Sequence, residues 1–182
     1  MRDLLDDLVD ALADQQRLGV LGTSPADAVA HSDRFVAALP HVGRVLDLGS
    51  GAGVPGLVIA VRRPSLRVTL LDARSRRTDQ LARIVHRLGL SDRVEVVCAR
   101  ADVAARRADL GWSFEAVTAR SFGGPTAVLT ASRPFLVVGG RLVVSDPPAA
   151  SARWAIDELL RAGFRLQAGT DIFPGMLVAE AI

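Results

Sequence analysis

The segment Asp47-Leu-Gly49-Ser-Gly51-Ala-Gly53-Val-Pro55-Gly56 holds the densest group of residues able to do chemistry in this chain of 182 residues. Its glycines let the backbone come close to a ligand and turn through conformations that side chains resist. Pro55 suits the start of a helix, where its missing N–H removes no hydrogen bond. Asp47 places a carboxylate two residues before the first glycine. Asp72 closes a second apolar run and is set to accept from both hydroxyls of a ribose. Arg100 and Arg120 each follow a further apolar run and bring charges that never titrate off. Acids and arginines of this kind, gathered around a glycine turn, suit recognition of a nucleoside-bearing ligand.

Such residues act together only if the elements between them bring the turns to one edge. The run Arg44–Ser50 reads as a buried strand, Val54–Arg63 as a helix, Arg67–Asp72 as a strand and Arg74–Leu88 as a helix. Arg93–Cys98, Phe114–Ala119 and Gly140–Ser145 read as further strands, and Ala127–Leu136 as a helix. A helix capped by Ser151 and ended by Gly163 is expected next, followed by closing β segments at Phe164–Phe173 and Met176–Ile182. Upstream, Leu4, Leu5, Leu8, Val9 and Leu12 fall at helical spacing. A second helix begins after Ser24 as cap with Pro25 in its first turn. Alternating strands and helices predict an α/β fold, a mostly parallel twisted sheet with helices on both faces. The expected division is an N-terminal helical extension over residues 1–43, packed on a core over 44–182. Ligands of such sheets bind at the carboxyl ends of the strands, where every turn named above falls.

Composition narrows the chemistry. All 22 basic residues are arginine, against 20 acidic ones, so Schiff-base lysines, lysine general bases and Walker-type phosphate lysines are excluded. The single cysteine, Cys98, makes no internal disulfide and reads as a small buried core residue. The first fifteen residues carry five aspartates and no run of 18 apolar residues occurs, so a signal peptide and a membrane span are not expected, and the cytoplasm is. His31, His41 and His86 lack metal spacing and read as surface or capping histidines, so no metal is expected. Charge is uneven: residues 1–43 sum to −4 and residues 62–107 to +7. Arg62, Arg63, Arg74, Arg76, Arg77, Arg83 and Arg87 in that basic segment are candidates to line a phosphate backbone, or a plain solvated surface. Phe122 is the aromatic best placed to pack on a base, or equally a core residue.

The glycine turn admits two readings. Gly51-x-Gly53-x-x-Gly56 matches a dinucleotide fingerprint, whereas Asp47-x-Gly49-x-Gly51-x-Gly53 matches the first motif of class I S-adenosylmethionine methyltransferases. Asp47 favours the second. An acid there sits badly beside a pyrophosphate but well near the cationic amino-acid end of S-adenosylmethionine.

The run VLDLGSGAGVPGLVIAVRRPSLRVTLLDARSRR resembles the RsmG (GidB, glucose-inhibited division protein B) family of ribosomal RNA methyltransferases. The likeness continues through Arg100-Ala101-Asp102 and Thr118-Ala119-Arg120-Ser121-Phe122, and His31 with Asp33 loosely resembles an upstream His-x-x-Asp-Ser segment. The resemblance implies a Rossmann-like class I methyltransferase fold with an antiparallel closing strand. It also implies methylation of guanine N7 in 16S, small-subunit rRNA, with S-adenosyl-L-methionine as cofactor and rRNA or a ribosomal particle as partner. Cofactor contacts are implied at Gly49, Val54, Ala101, Asp102 and Arg120, with Asp72 at the ribose. Asp47, Gly51 and Gly53 join them from the turn itself, and Arg100 and Arg120 match basic positions of the active face. Arg76-Arg77 matches a Lys-Arg pair. The chain departs from the family at Ser145-Asp146, where a lysine stands, at Pro174-Gly175-Met176, where an Arg-His pair stands, and at Asp79-Gln80. A related methyltransferase acting on another substrate, and a cofactor-binding protein without catalysis, are the alternative readings.

Overall fold

The computed structural model describes residues 3–145, 154–167 and 175–182. Seven strands form one sheet: β1 (Gly43–Leu48), β2 (Leu66–Asp72), β3 (Val94–Cys98), β4 (Phe114–Ala119), β5 (Leu136–Ser145), β6 (Phe164–Leu166) and β7 (Met176–Ala181). Their order is β3-β2-β1-β4-β5-β7-β6. The strands from β3 to β5 are parallel, and β7 runs antiparallel between β5 and β6. The order reverses between β1 and β4, which opens a crevice at their carboxyl ends.

Period-2 side chains send each strand's residues to two different cores. Val45, Leu70, Ala116 and Val143 face α1 (Leu4–Arg17), α2 (Pro25–Ala38), α3 (Gly56–Arg62) and α4 (Ser75–Arg87), which contribute Leu8, Leu12, Phe35, Leu57 and Leu81. Leu46, Leu48, Val117 and Val144 face α5 (Ala101–Ala104), α6 (Pro125–Ser132) and α7 (Ile156–Arg161). Helices therefore cover both faces, as the sequence predicts.

Helix α2 starts where its cap chemistry dictates. The Ser24 hydroxyl oxygen accepts from the Asp27 backbone N–H at 3.1 Å and donates to Asp27 Oδ2 at 2.6 Å, with Pro25 in the first turn. Ser24→Ala should lower stability by about 1 kcal/mol, read as a lowered denaturant midpoint with an unchanged slope.

Several sequence expectations are corrected. The helix expected over Ala127–Leu136 ends at Ser132, and a 3₁₀ turn over Arg133–Phe135 leads into β5. Pro134 cannot continue a helix, and the apolar run after it pairs with β4 through a register shift opposite Phe114 and Ala116. The helix expected from Val54 begins at Gly56. Helix α5 was not expected, since four residues carry no readable periodicity. Cys98 is exposed rather than buried, because β3 is an edge strand that buries only Val94 and Val97. Ser151, Asp146 and Pro174 lie outside the described residues, as does the stretch of the first closing segment from 168 to Phe173. No helix among the described residues is long and apolar enough to cross a membrane.

Candidate active site

A cleft of about 1140 Å³ opens along the carboxyl ends of β1 to β4. Gly49, Asp72, Arg74 and Arg77 form one side, Arg100, Ala101, Asp102 and Arg106 a second, and Phe122, Ala127 and Ala131 a third. At Gly49 the backbone has φ +74° and the N–H donates to the Leu71 carbonyl at 2.8 Å. A Cβ there would stand 2.7 Å from the Phe122 ring. The aromatic ring thus lies directly on the glycine turn, which only a residue without a side chain permits.

Asp72 ends β2 with a side chain 7% exposed. One carboxylate oxygen accepts from Gly51 N–H at 3.0 Å and the other from Arg74 N–H at 2.9 Å, while Arg77 Nη1 stands 3.5 Å away. Two backbone donors and one guanidinium hold the carboxylate at the cleft in a single orientation. A carboxylate has about four acceptor sites, so capacity for a ligand's hydroxyls remains.

Asp47 behaves differently. It is 1% exposed; one oxygen accepts from Gly56 N–H at 3.1 Å and the other from the Thr118 hydroxyl at 3.0 Å. These bonds tie β1 to β4, where Asp47 and Thr118 are paired in register, and to the start of α3. Burial pushes the carboxyl up to about 6, opposed by the hydrogen bonds from Thr118 and Gly56. Its carboxyl supports the turn from beneath and is not part of the cleft lining.

Gly53, Val54 and Arg120 also lie outside that lining. Arg120 follows β4 on the same side of the sheet as Asp47, whose charge favours the guanidinium, while burial disfavours it more strongly. Its Nη1 is buried with no hydrogen-bond partner. The ion pair of Arg100 with Asp102, 3.1 Å long, is exposed at the rim. Of the residues singled out in the sequence, Gly49, Asp72, Arg100, Ala101 and Asp102 line the cleft, whereas Asp47, Gly51, Gly53, Val54 and Arg120 do not.

The expected row of arginines divides in the same way. Arg62 binds Asp33 through two bonds of 3.0 Å, Arg87 pairs with Asp14, Arg77 with Asp72, and Arg63 reaches His41 and the Val36 carbonyl. Arg74, Arg76 and Arg83 are exposed. His41 and His86 are exposed, but His31 is half-buried, with its Nε2 buried and unpartnered. Burial together with the charges of Arg120 and Arg34 holds the His31 imidazolium down. The only sequence signal for it was the loose upstream segment. Among the described residues no three His, Cys, Asp or Glu side chains gather as a metal site.

The reversal of strand order, the antiparallel β7 and the cleft over a glycine turn define a class I methyltransferase fold. Solved structures agree on the fold. The cyclase SpnF superposes with a TM-score of 0.67 at 18% identity, covering 98% of this chain and 95% of that one. An O-methyltransferase family protein from Burkholderia thailandensis gives 0.63 at 18% identity, covering 84% and 57%. The chain belongs to the GidB family, rRNA small subunit methyltransferase G, whose model matches residues 29–153. Ribosomal RNA small subunit methyltransferase G of Nocardioides sp. is 42% identical over 137 residues, 69% of this chain and 53% of the relative. The protein of that name from Rubrobacter xylanophilus is 33% identical over 147 residues, 77% and 56%. The chain spans about half the length of the curated relatives it matches.

Proposed function

We propose that this protein is an S-adenosylmethionine-dependent methyltransferase that modifies guanine N7 in small-subunit rRNA, in the cytoplasm. The observation that carries the reading is Asp72, a carboxylate fixed at the end of β2 with acceptor capacity toward the cleft. The residues fit the cofactor. Asp72 would take the ribose hydroxyls, the turn from Gly49 through Gly51 and Gly53 to Val54 admits close backbone approach, and Ala101 and Asp102 would border the adenine. Arg120, a cofactor contact by the family resemblance, has its Nη1 buried without an acceptor and lies near the Asp47 charge. When bound, S-adenosylmethionine supplies a methyl group on a sulfonium, open to attack by a lone pair.

Guanine N7 carries such a lone pair, so no general base is required of the chain. Its residues hold and desolvate the reacting groups, an entropic contribution worth up to roughly 7–11 kcal/mol at the ideal limit. Arg100 stands at the rim, where its exposed ion pair can open toward a phosphate, and Arg74 and Arg76 extend the same charge. Two arms test the reading: calorimetry with S-adenosylmethionine, and labelled methyl transfer to small subunits from a deletion strain followed by nucleoside analysis. Binding together with new N7-methylguanine is the expected result. No binding overturns the cofactor assignment, and binding without transfer to subunits overturns the substrate. Ser145, at the end of β5 where the family resemblance calls for a lysine, favours a second reading, transfer to a small molecule. Label entering metabolite pools but not subunits would select it.

A further inference from the structure

One aromatic side chain lines the cleft among the described residues, that of Phe122 on the wall that follows β4. Its backbone is set by Ser121, whose φ of +55° lies in the left-handed region that non-glycine residues occupy only when the surroundings hold them there. The ring stands edge-on to the glycine turn: from a Cβ at Gly49, Cδ2 would be 2.7 Å away, Cε2 3.4 Å and Cγ 3.8 Å. It packs on the cluster that contains Leu46, Leu48 and Val117, yet stays half-exposed. A phenylalanine needed only for packing is usually sunk in the core, as Phe35, Phe114, Phe135 and Phe164 are here.

The place of the ring among the walls narrows what it meets. Asp72 and the pair Ala101 and Asp102 lie on the other two sides and are the residues assigned to ribose and adenine. Phe122 has no donor or acceptor with which to read a hydrogen-bonding edge, so what it offers is a π face. Methyl transfer to guanine N7 moves charge as well as carbon. The N7 lone pair bonds the methyl carbon, the C–S electron pair stays with sulfur, which becomes a neutral thioether, and no proton leaves. The positive charge of the sulfonium thus ends on the imidazole ring of the purine. An aromatic face stacked on that ring attracts the charged base more than the neutral one. An interaction that strengthens in the transition state speeds the step. We infer, on the guanine N7 reading above, that Phe122 is a catalytic residue that stacks on the acceptor base and stabilises the charge it acquires.

Single-turnover methyl transfer to small subunits from a deletion strain, with subunits and cofactor saturating, tests the assignment. Phe122→Leu is expected to slow the step about tenfold, the size of a partly desolvated cation–π contact, while affinity for S-adenosylhomocysteine stays within about twofold. Phe122→Tyr should restore most of the rate. Replacing Phe122 by phenylalanines bearing one, two and three ring fluorines keeps shape and apolarity while draining the π face, and the rate should fall stepwise along that series. A flat series, or equal losses in the leucine and tyrosine variants, means that the ring only packs, and overturns the assignment. A fluorine-dependent loss of affinity for S-adenosylmethionine relative to S-adenosylhomocysteine sets the ring on the sulfonium instead, and overturns it too. If Phe122→Leu does not fold, the fluorinated series decides. Wild-type protein that binds cofactor yet transfers no methyl to subunits fails the guanine reading itself, and the stacking role with it.

Discussion

Asp72→Ala is expected to lower affinity for S-adenosylmethionine at least about a hundredfold, measured by calorimetry, while the folded chain persists. Two hydrogen bonds from ribose hydroxyls to a carboxylate contribute about 1.5–3 kcal/mol each, and about 2.8 kcal/mol is already a hundredfold. The fold should survive because the Gly51 and Arg74 N–H groups left behind border an open cleft, where water replaces the carboxylate. Asp72→Asn offers a single carbonyl acceptor and should fall between the two. Affinity unchanged in the alanine variant would remove Asp72 from the site.

Asp47 should show the opposite balance, with stability as the main readout. Asp47→Ala leaves the Gly56 N–H and the Thr118 hydroxyl without partners inside the protein, a loss on the order of 3 kcal/mol. Asp47→Asn keeps an acceptor for Gly56 and a donor for Thr118, and should retain most of that. The two differ from wild type in pH dependence as well. Folding raises this carboxyl from 3.8 to about 6, so between those values the folded chain holds a proton that the unfolded chain has released. The Asp47 contribution therefore falls as pH rises through that window, and its cost is fully present above it. Urea unfolding from pH 4 to pH 7 should show the Asn variant gaining on wild type up to about pH 6, then running parallel. A constant difference across the range would mean that the burial of Asp47 carries no ionisation cost.

The contrast between the two aspartates shows what the sequence could and could not convey. Asp47 lies one residue before the end of β1 and Asp72 ends β2, and the sequence places both at the cofactor. Position along a strand was readable, since turn chemistry and apolar spacing are local. The direction of each carboxyl was not, because it depends on the register that sets Asp47 opposite Thr118. Local chemistry also made the Ser24–Pro25 helix start legible. Elements decided by neighbours were lost: the strand residues after Pro134 looked helical until β4 paired with them, and Cys98 looked buried until β3 proved to be an edge. His31 reads as a surface or capping histidine in the sequence because its partial burial and the nearby charge of Arg120 depend on residues far away in the chain.

The helices α1 and α2 share one hydrophobic cluster with α3 and the sheet, in which Leu8, Leu12 and Phe35 are fully buried beside Leu57 and Leu70. Elements that close a single core open together rather than fraying one by one. Amide protons of α2 should therefore exchange with solvent at the pace of β1 rather than at that of a loosely attached arm. A ligand that steadies one end of that unit slows exchange through the whole of it.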